Sequence, residues 1–158
     1  MALIEIITNP KSEEELKRVI DKGIADNNEV MFIKEKNLEN IKNIKLETVI
    51  INAQIENEIL LKRIIDNSKY LIVNSDFIEN IKDYISGNQK IITYGYNSKS
   101  DITISSVEEE KSMISLQRNI SSIYGKTIEM QEIKANVNCQ ISVYNIMIVI
   151  ALTVLYAR

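Results

Sequence analysis

The sequence contains no histidine and no tryptophan, and only one cysteine, one proline and four glycines among its 158 residues. Without histidine, the usual general base and every Ser–His or Cys–His nucleophile arrangement are excluded. Cys139 has no partner for an internal disulfide, which fits a reducing, cytoplasmic compartment. A zinc site would have to be built from carboxylates alone, so we expect no metal and assign no catalytic residue.

The charge is balanced, with 19 basic and 22 acidic residues and a formal net charge of -3. No basic run interleaved with aromatic residues is present, so the sequence argues against nucleic-acid binding. The first residues lack the basic and apolar regions of a signal peptide. The length and the 45% apolar fraction predict one ordinary globular domain spanning residues 1–158.

Short β-branched runs alternate with amphipathic stretches over the first two-thirds of the chain, which predicts a parallel sheet covered by helices on both faces. The predicted strands cover residues 3–8, 30–34, 47–52, 70–74 and 90–94. The predicted helices cover residues 12–24, a short stretch around 38–44, residues 56–67 and residues 76–86. The helix over 76–86 is expected to bury Phe77, Ile81 and Ile85 and to end at a Gly87 C-cap.

The last third has a different pattern. Residues 101–107, 113–120 and 127–137 resemble strands with no helix between them, and Tyr124-Gly125-Lys126 predicts a hairpin turn, so we expect an antiparallel extension of the sheet. Residues 143–157 are apolar apart from Asn145 and Thr153. As a helix they rise about 22 Å, less than the roughly 30 Å of membrane hydrocarbon, which favours a buried core helix over a membrane or partner-binding tail. The expected fold class is therefore α/β.

This order of elements resembles the second half of the central, ATP-binding domain of the Mur ligases, which form amide bonds in peptidoglycan synthesis. The resemblance covers residues 48–158 best. It is carried by the segments YLIVNSD (70–76), IITYG (91–95) and MISLQRNISSIYGKTIEMQEIKANVN (113–138), and by Glu56-Asn57, which lies where the family has Asp-His. The family's Gly-x-His-Asn-x-x-Asn motif aligns with residues 139–145, where only the final Asn145 is retained.

The family's phosphate-binding loop contains Thr-Asn-Gly-Lys-Thr, and Thr8-Asn9-Pro10-Lys11-Ser12 lies between a predicted strand and helix in the same way. Ile7 and Pro10 occupy glycine positions, and proline has no N–H to offer to a phosphate. The residues themselves also allow another interpretation, in which Ser12 and Glu15 form a helix capping box and Lys11 is a solvated neighbour.

Four further polar residues are candidates for ligand binding. Asn52, Asn74 and Asp76 lie at the predicted carboxyl ends of strands, where open α/β sheets bind ligands, although turns and helix caps favour the same residue types. The resemblance implies that Asn145 contacts adenine. Its alternative role is a polar residue at a helix start that bonds to nearby backbone.

Two functions remain open at this point. The resemblance favours a non-catalytic Mur-ligase-like protein that uses no cofactor and has a role near the cell envelope. This protein would bind a ligand, or it would bind a partner protein or a second copy through its last helix. The alternative is an ATP-binding component of a Mur-type amide ligase that needs another subunit, with ATP and Mg²⁺ held by Thr8, Asn9, Lys11, Ser12 and Asn145. Membrane association is a weaker third hypothesis.

Overall fold

The structure is a computed structural model that describes residues 2–20, 28–108, 111–136 and 141–158. The chain forms two compact units, Met1–Ile91 and Ile92–Arg158. The fold class is α/β with mainly parallel strands, as the sequence predicts. That the whole chain is a single domain stays a prediction.

The first unit is built on four parallel strands. The strands are β1 Ala2–Thr8, β2 Asn28–Ile33, β3 Leu46–Asn52 and β4 Ser68–Asn74. They run in the order β4-β3-β1-β2, each hydrogen-bonded to the next in parallel register. β1 and β3 are buried along nearly their whole length, as expected for a sheet covered on both faces.

In the described part of this unit, three helices accompany these strands. α1 is Pro10–Ile20, α2 is Leu38–Ile41 after a 3-10 turn at Glu35–Asn37, and α3 is Glu58–Asp66. The core of one sheet face joins Leu61, Ile64 and Ile65 of α3 to strand residues such as Val49 and Ile51. Residues 21–24 of the predicted first helix lie outside the described residues.

The predicted helix over residues 76–86 is wrong. The backbone N–H groups of Phe77 and Ile78 both donate to the carbonyl oxygen of Asn74, at 3.2 and 3.1 Å, which forms a turn. Asn80 has a φ of 53°, a left-handed conformation that interrupts a right-handed helix, and only a 3-10 turn at Ile81–Tyr84 follows. Ile81 is buried as expected, whereas Phe77 is 37% exposed. Gly87 caps no helix, and its N–H donates to Oε1 of Gln89.

The second unit contains the predicted antiparallel strands. The strands are β5 Lys90–Tyr94, β6 Ile102–Glu108, β7 Lys111–Leu116, β8 Ile120–Ser121, β9 Thr127–Ile128 and β10 Gln131–Asn136. β6 pairs in parallel with β5, whereas the pairs β6–β7 and β7–β10 are antiparallel. β8 and β9 form a separate hairpin, and Gly125 in its turn has a φ of 83°. The Gly125-Lys126-Thr127 segment is therefore a hairpin turn and opens no helix.

The last helix, α4, is Val143–Leu155. It is buried on most of its surface, including Met147, Ile148 and Leu152, while Thr153 is exposed. The burial of these side chains confirms the prediction that this segment is a core helix. Among the helices of the described residues, none combines the length and the apolar character needed to span a bilayer.

Candidate functional site

Three buried polar side chains lie side by side at the carboxyl ends of the strands of the first unit. Thr8 ends β1, Asn52 ends β3 and Asn74 ends β4. Thr8 is in register with Asn52, and the β3–β4 register places Asn52 beside Asn74. In-register residues of parallel strands share a face, so these three residues, the polar row, lie on one face of the sheet. The structure thus brings together three of the residues singled out from the sequence.

Hydrogen bonds link the polar row from end to end. Nδ2 of Asn74 donates to Oδ1 of Asn52, and Nδ2 of Asn52 donates to Oγ1 of Thr8, each at 3.0 Å. Oδ1 of Asn74 accepts from the backbone N–H of Asp76, also at 3.0 Å. Asn52 and Asn74 are 1% exposed or less, so these bonds offset the cost of burying their amides. The polar row is therefore a satisfied structural network.

The segment 8–12 forms the start of a helix. Asn9 is the cap, since its Oδ1 accepts from the N–H of Ser12 at 2.9 Å and its carbonyl oxygen accepts from the N–H of Glu13 at 3.0 Å. Pro10 occupies the first helical position, where its missing N–H does no harm. The expected capping box with Ser12 as the cap is wrong, because Ser12 lies two residues inside α1 and is buried. Lys11 is exposed.

This helix start leaves little for a phosphate to bind. A phosphate-binding loop directs several consecutive N–H groups at the ligand. Over positions 10–13, Pro10 has no N–H, and the N–H groups of Ser12 and Glu13 are bonded to Asn9. Only the N–H of Lys11 has no such bond. A single residue, Asn9, separates β1 from α1, so no loop is present there to surround an anion.

An open groove of about 400 Å³ lies at the same ends of β3 and β4. It is lined by the segments that follow the polar row and by Tyr84. Ile55, Phe77 and Ile78 provide apolar surface. Four carboxylates, Glu56, Glu58, Asp76 and Glu79, also line the groove, which contains no lysine or arginine among its lining residues. We call it the acidic groove. Its charge disfavours a triphosphate.

The Glu56-Asn57 pair has a structural role in part. Asn57 is the N-cap of α3, and its Oδ1 accepts from the N–H of Leu60 at 3.0 Å. No cluster of three or more Asp, Glu, His or Cys side chains in the described parts of the chain is placed to hold a metal ion.

Asn145 lies in the second unit, in the first turn of α4, and its side chain is fully buried. Its neighbour Tyr144 makes edge-to-face contacts with the rings of Tyr94 and Tyr96, at centroid distances of 6.4 and 5.3 Å. Contact of Asn145 with a nucleotide stays a prediction.

Glu5 is a buried acid that sequence reasoning missed. It lies within β1, is 2% exposed, and its Oε2 has no hydrogen-bond partner among the described residues. Burial, and secondarily the nearby carboxylate of Glu47, raises the pKa of Glu5 from 4.5 to about 7. The available signal was an acidic residue in the middle of the apolar run LIEIIT.

No protein-family model matches this chain, and no curated protein matches it.

Proposed function

We propose that this protein is a non-catalytic, Mur-ligase-like binding module of the cytoplasm that does not use ATP. The observation that carries the proposal is the capped helix at residues 8–12, where the resemblance would require a phosphate-binding loop. The α/β order of elements, with its antiparallel strands and buried last helix, supports the architectural part of the resemblance.

The candidate residues have other roles in the fold. Thr8, Asn52 and Asn74 are bonded to one another, and Asn9 caps α1. Phosphoryl transfer depends on positioned cations and N–H donors around the phosphates. At this edge of the first unit, the exposed Lys11 follows β1 and the exposed Lys34 and Lys36 follow β2, whereas the groove beside β3 and β4 is lined with carboxylates.

The acidic groove is the ligand-binding surface in this proposal. Its carboxylates favour a cationic group, and its apolar residues favour an aliphatic or aromatic portion of the same ligand. A lysine- or arginine-containing peptide segment has both properties.

Calorimetric titration with ATP and Mg²⁺ tests the loss of nucleotide binding. We expect no binding heat for the full chain, and none for Lys11→Ala. Binding at micromolar affinity that is lost in Lys11→Ala, with the fold retained by circular dichroism, would overturn the proposal and establish the ATP-binding alternative.

The groove has its own test. A short lysine-rich peptide and a glutamate-rich peptide of equal length are titrated while backbone amide NMR shifts are recorded. We expect saturable shifts in residues 54–58 and 76–79 with the basic peptide only, weakened in the double variant Glu56→Gln/Glu79→Gln. Equal responses to both peptides, or none, would remove the acidic groove as the binding surface.

A further inference from the structure

Strand β10 forms an edge of the antiparallel sheet in the second unit. It pairs with β7 along one side, and no strand of the described residues pairs with its other side. Glu132 and Lys134 are exposed, and Ile133 and Ala135 are partly exposed. An edge strand carries backbone N–H and C=O groups that can pair with another strand.

The side chains of β10 are complementary to a second copy of the same strand. In antiparallel pairing about a two-fold axis at Ile133, Glu132 of each copy lies opposite Lys134 of the other, and Ile133 lies opposite itself. Gln131 then faces Ala135. Opposite charges directly across a strand pair stabilise it, whereas like charges destabilise it. Neither Glu132 nor Lys134 forms an ion pair with another described residue.

The same axis continues an apolar row. The antiparallel register aligns Ile104 with Ile114 and Ile114 with Ile133. Pairing at Ile133 would bring the two rows together across the interface, and burial of this surface favours association. Such an interface would be isologous and would therefore close with two copies.

We propose that β10 is a homodimerisation edge, at which two copies of this chain pair their β10 strands in antiparallel register about Ile133. Strand β2 of the first unit lacks this complementarity, because centring the same pairing on Met31 places Glu29 opposite Ile33. A single short strand pair buries little area, so the dimer is of the weak, concentration-dependent class.

Charge reversal tests the register. Sedimentation equilibrium of the full chain over a concentration series should show a monomer–dimer equilibrium. Glu132→Lys and Lys134→Glu each place like charges opposite each other at both symmetry-related 132–134 pairs. Each variant should raise the dissociation constant of the dimer about tenfold. The double variant Glu132→Lys/Lys134→Glu restores opposite charges and should restore the dimer. Lys36→Glu, an exposed charge reversal in the first unit, is the matched control and should change nothing.

A cysteine cross-link tests the axis independently. In a Cys139→Ser background, Ile133→Cys places two thiols opposite each other at a spacing close to that of a disulfide. Gln131→Cys, on the same face, places the two thiols four residues apart along the strands. We expect a covalent dimer under mild oxidation for Ile133→Cys and not for Gln131→Cys.

Two results would overturn this proposal. One is a wild-type chain that stays monomeric at every concentration. The other is a dimer that persists in both single variants with cross-linking equal at positions 131 and 133, which would locate the interface on another surface.

Discussion

Glu5 shows how one side chain makes stability depend on pH. Glu5 lies on the same face of β1 as Leu3, and the N–H of Leu3 donates to the carboxylate of Glu47 on β3. The carboxyl groups of Glu5 and Glu47 are therefore neighbours. The exposed Glu29 of β2, which is in register with Leu3, is the nearest acid on the other neighbouring strand. Because folding raises the pKa of Glu5, the folded state holds its proton more tightly than the unfolded state.

The sign of the pH effect follows from this difference. The contribution of Glu5 to stability is complete below pH 4.5 and is lost as the pH rises to about 7. The glutamine of Glu5→Gln cannot ionise. The free energy of unfolding of this variant, relative to that of wild type, should therefore rise by about 2–3 kcal/mol between pH 4.5 and about 7. Urea unfolding at several pH values measures it. Glu29→Gln, at an exposed position of the neighbouring strand, is the control. A difference between Glu5→Gln and wild type that does not change with pH would contradict this assignment.

Asn52 is the central member of the polar row. Asn52→Leu would remove the acceptor of Asn74 and the donor to Thr8, leaving two buried polar groups without these bonds. We expect a loss of about 2–4 kcal/mol in the free energy of unfolding, measured by urea denaturation. Asn43→Leu, at an exposed position, should be nearly neutral. A neutral Asn52→Leu would mean that the polar row contributes nothing to stability.

At the scale of elements, the start of α1 depends on the side chain of Asn9. Asn9→Ala removes the acceptor for the N–H of Ser12 and should reduce stability by about 1 kcal/mol, whereas Asn9→Asp should retain most of it. Thermal unfolding measures both variants. A larger loss of stability for Ser12→Ala than for Asn9→Ala would contradict the assignment of Asn9 as the cap.

Asp101 holds together the strands of the second unit. Its Oδ2 accepts from the N–H of Thr93 at 2.8 Å and from Nη2 of Arg118 at 2.9 Å, and its own N–H donates to Oγ1 of Thr93. The hydrogen bond to Asp101 raises the pKa of the Arg118 guanidinium.

Replacing the two partners should therefore have unequal effects. Asp101→Ala should lower the free energy of unfolding by about 2–3 kcal/mol, because the backbone of β5 loses its acceptor. Arg118→Ala should lower it by about 1 kcal/mol or less, because Arg118 is half exposed. Chemical denaturation compares them, and equal losses would contradict this ranking.

The strands were predictable because β-branched runs mark them regardless of context. The strand Lys90–Tyr94 matches its prediction at both ends. The helix predicted over 76–86 is absent, although Phe77, Ile81 and Ile85 have helical spacing. The turn at Asn74 and the left-handed backbone of Asn80 outweigh that spacing. The mutual bonding of Thr8, Asn52 and Asn74 could not be predicted either, since it depends on the register of strands far apart in sequence.

At the scale of the whole molecule, the fold and the chemistry of its candidate site point in different directions. The described residues form an α/β fold with mainly parallel strands, yet residues 8–12 form the start of a helix capped by Asn9, and the neighbouring groove is acidic. We therefore infer that the start of α1 does not bind a triphosphate.

Backbone amide NMR of the full chain tests this claim most directly, because it observes the N–H groups of Asn9, Lys11, Ser12 and Glu13 themselves. On titration with ATP and Mg²⁺ to millimolar concentration, we expect these four signals to stay in place. Saturable shifts of the Lys11 and Ser12 signals, absent when Mg²⁺ alone is added, would contradict it.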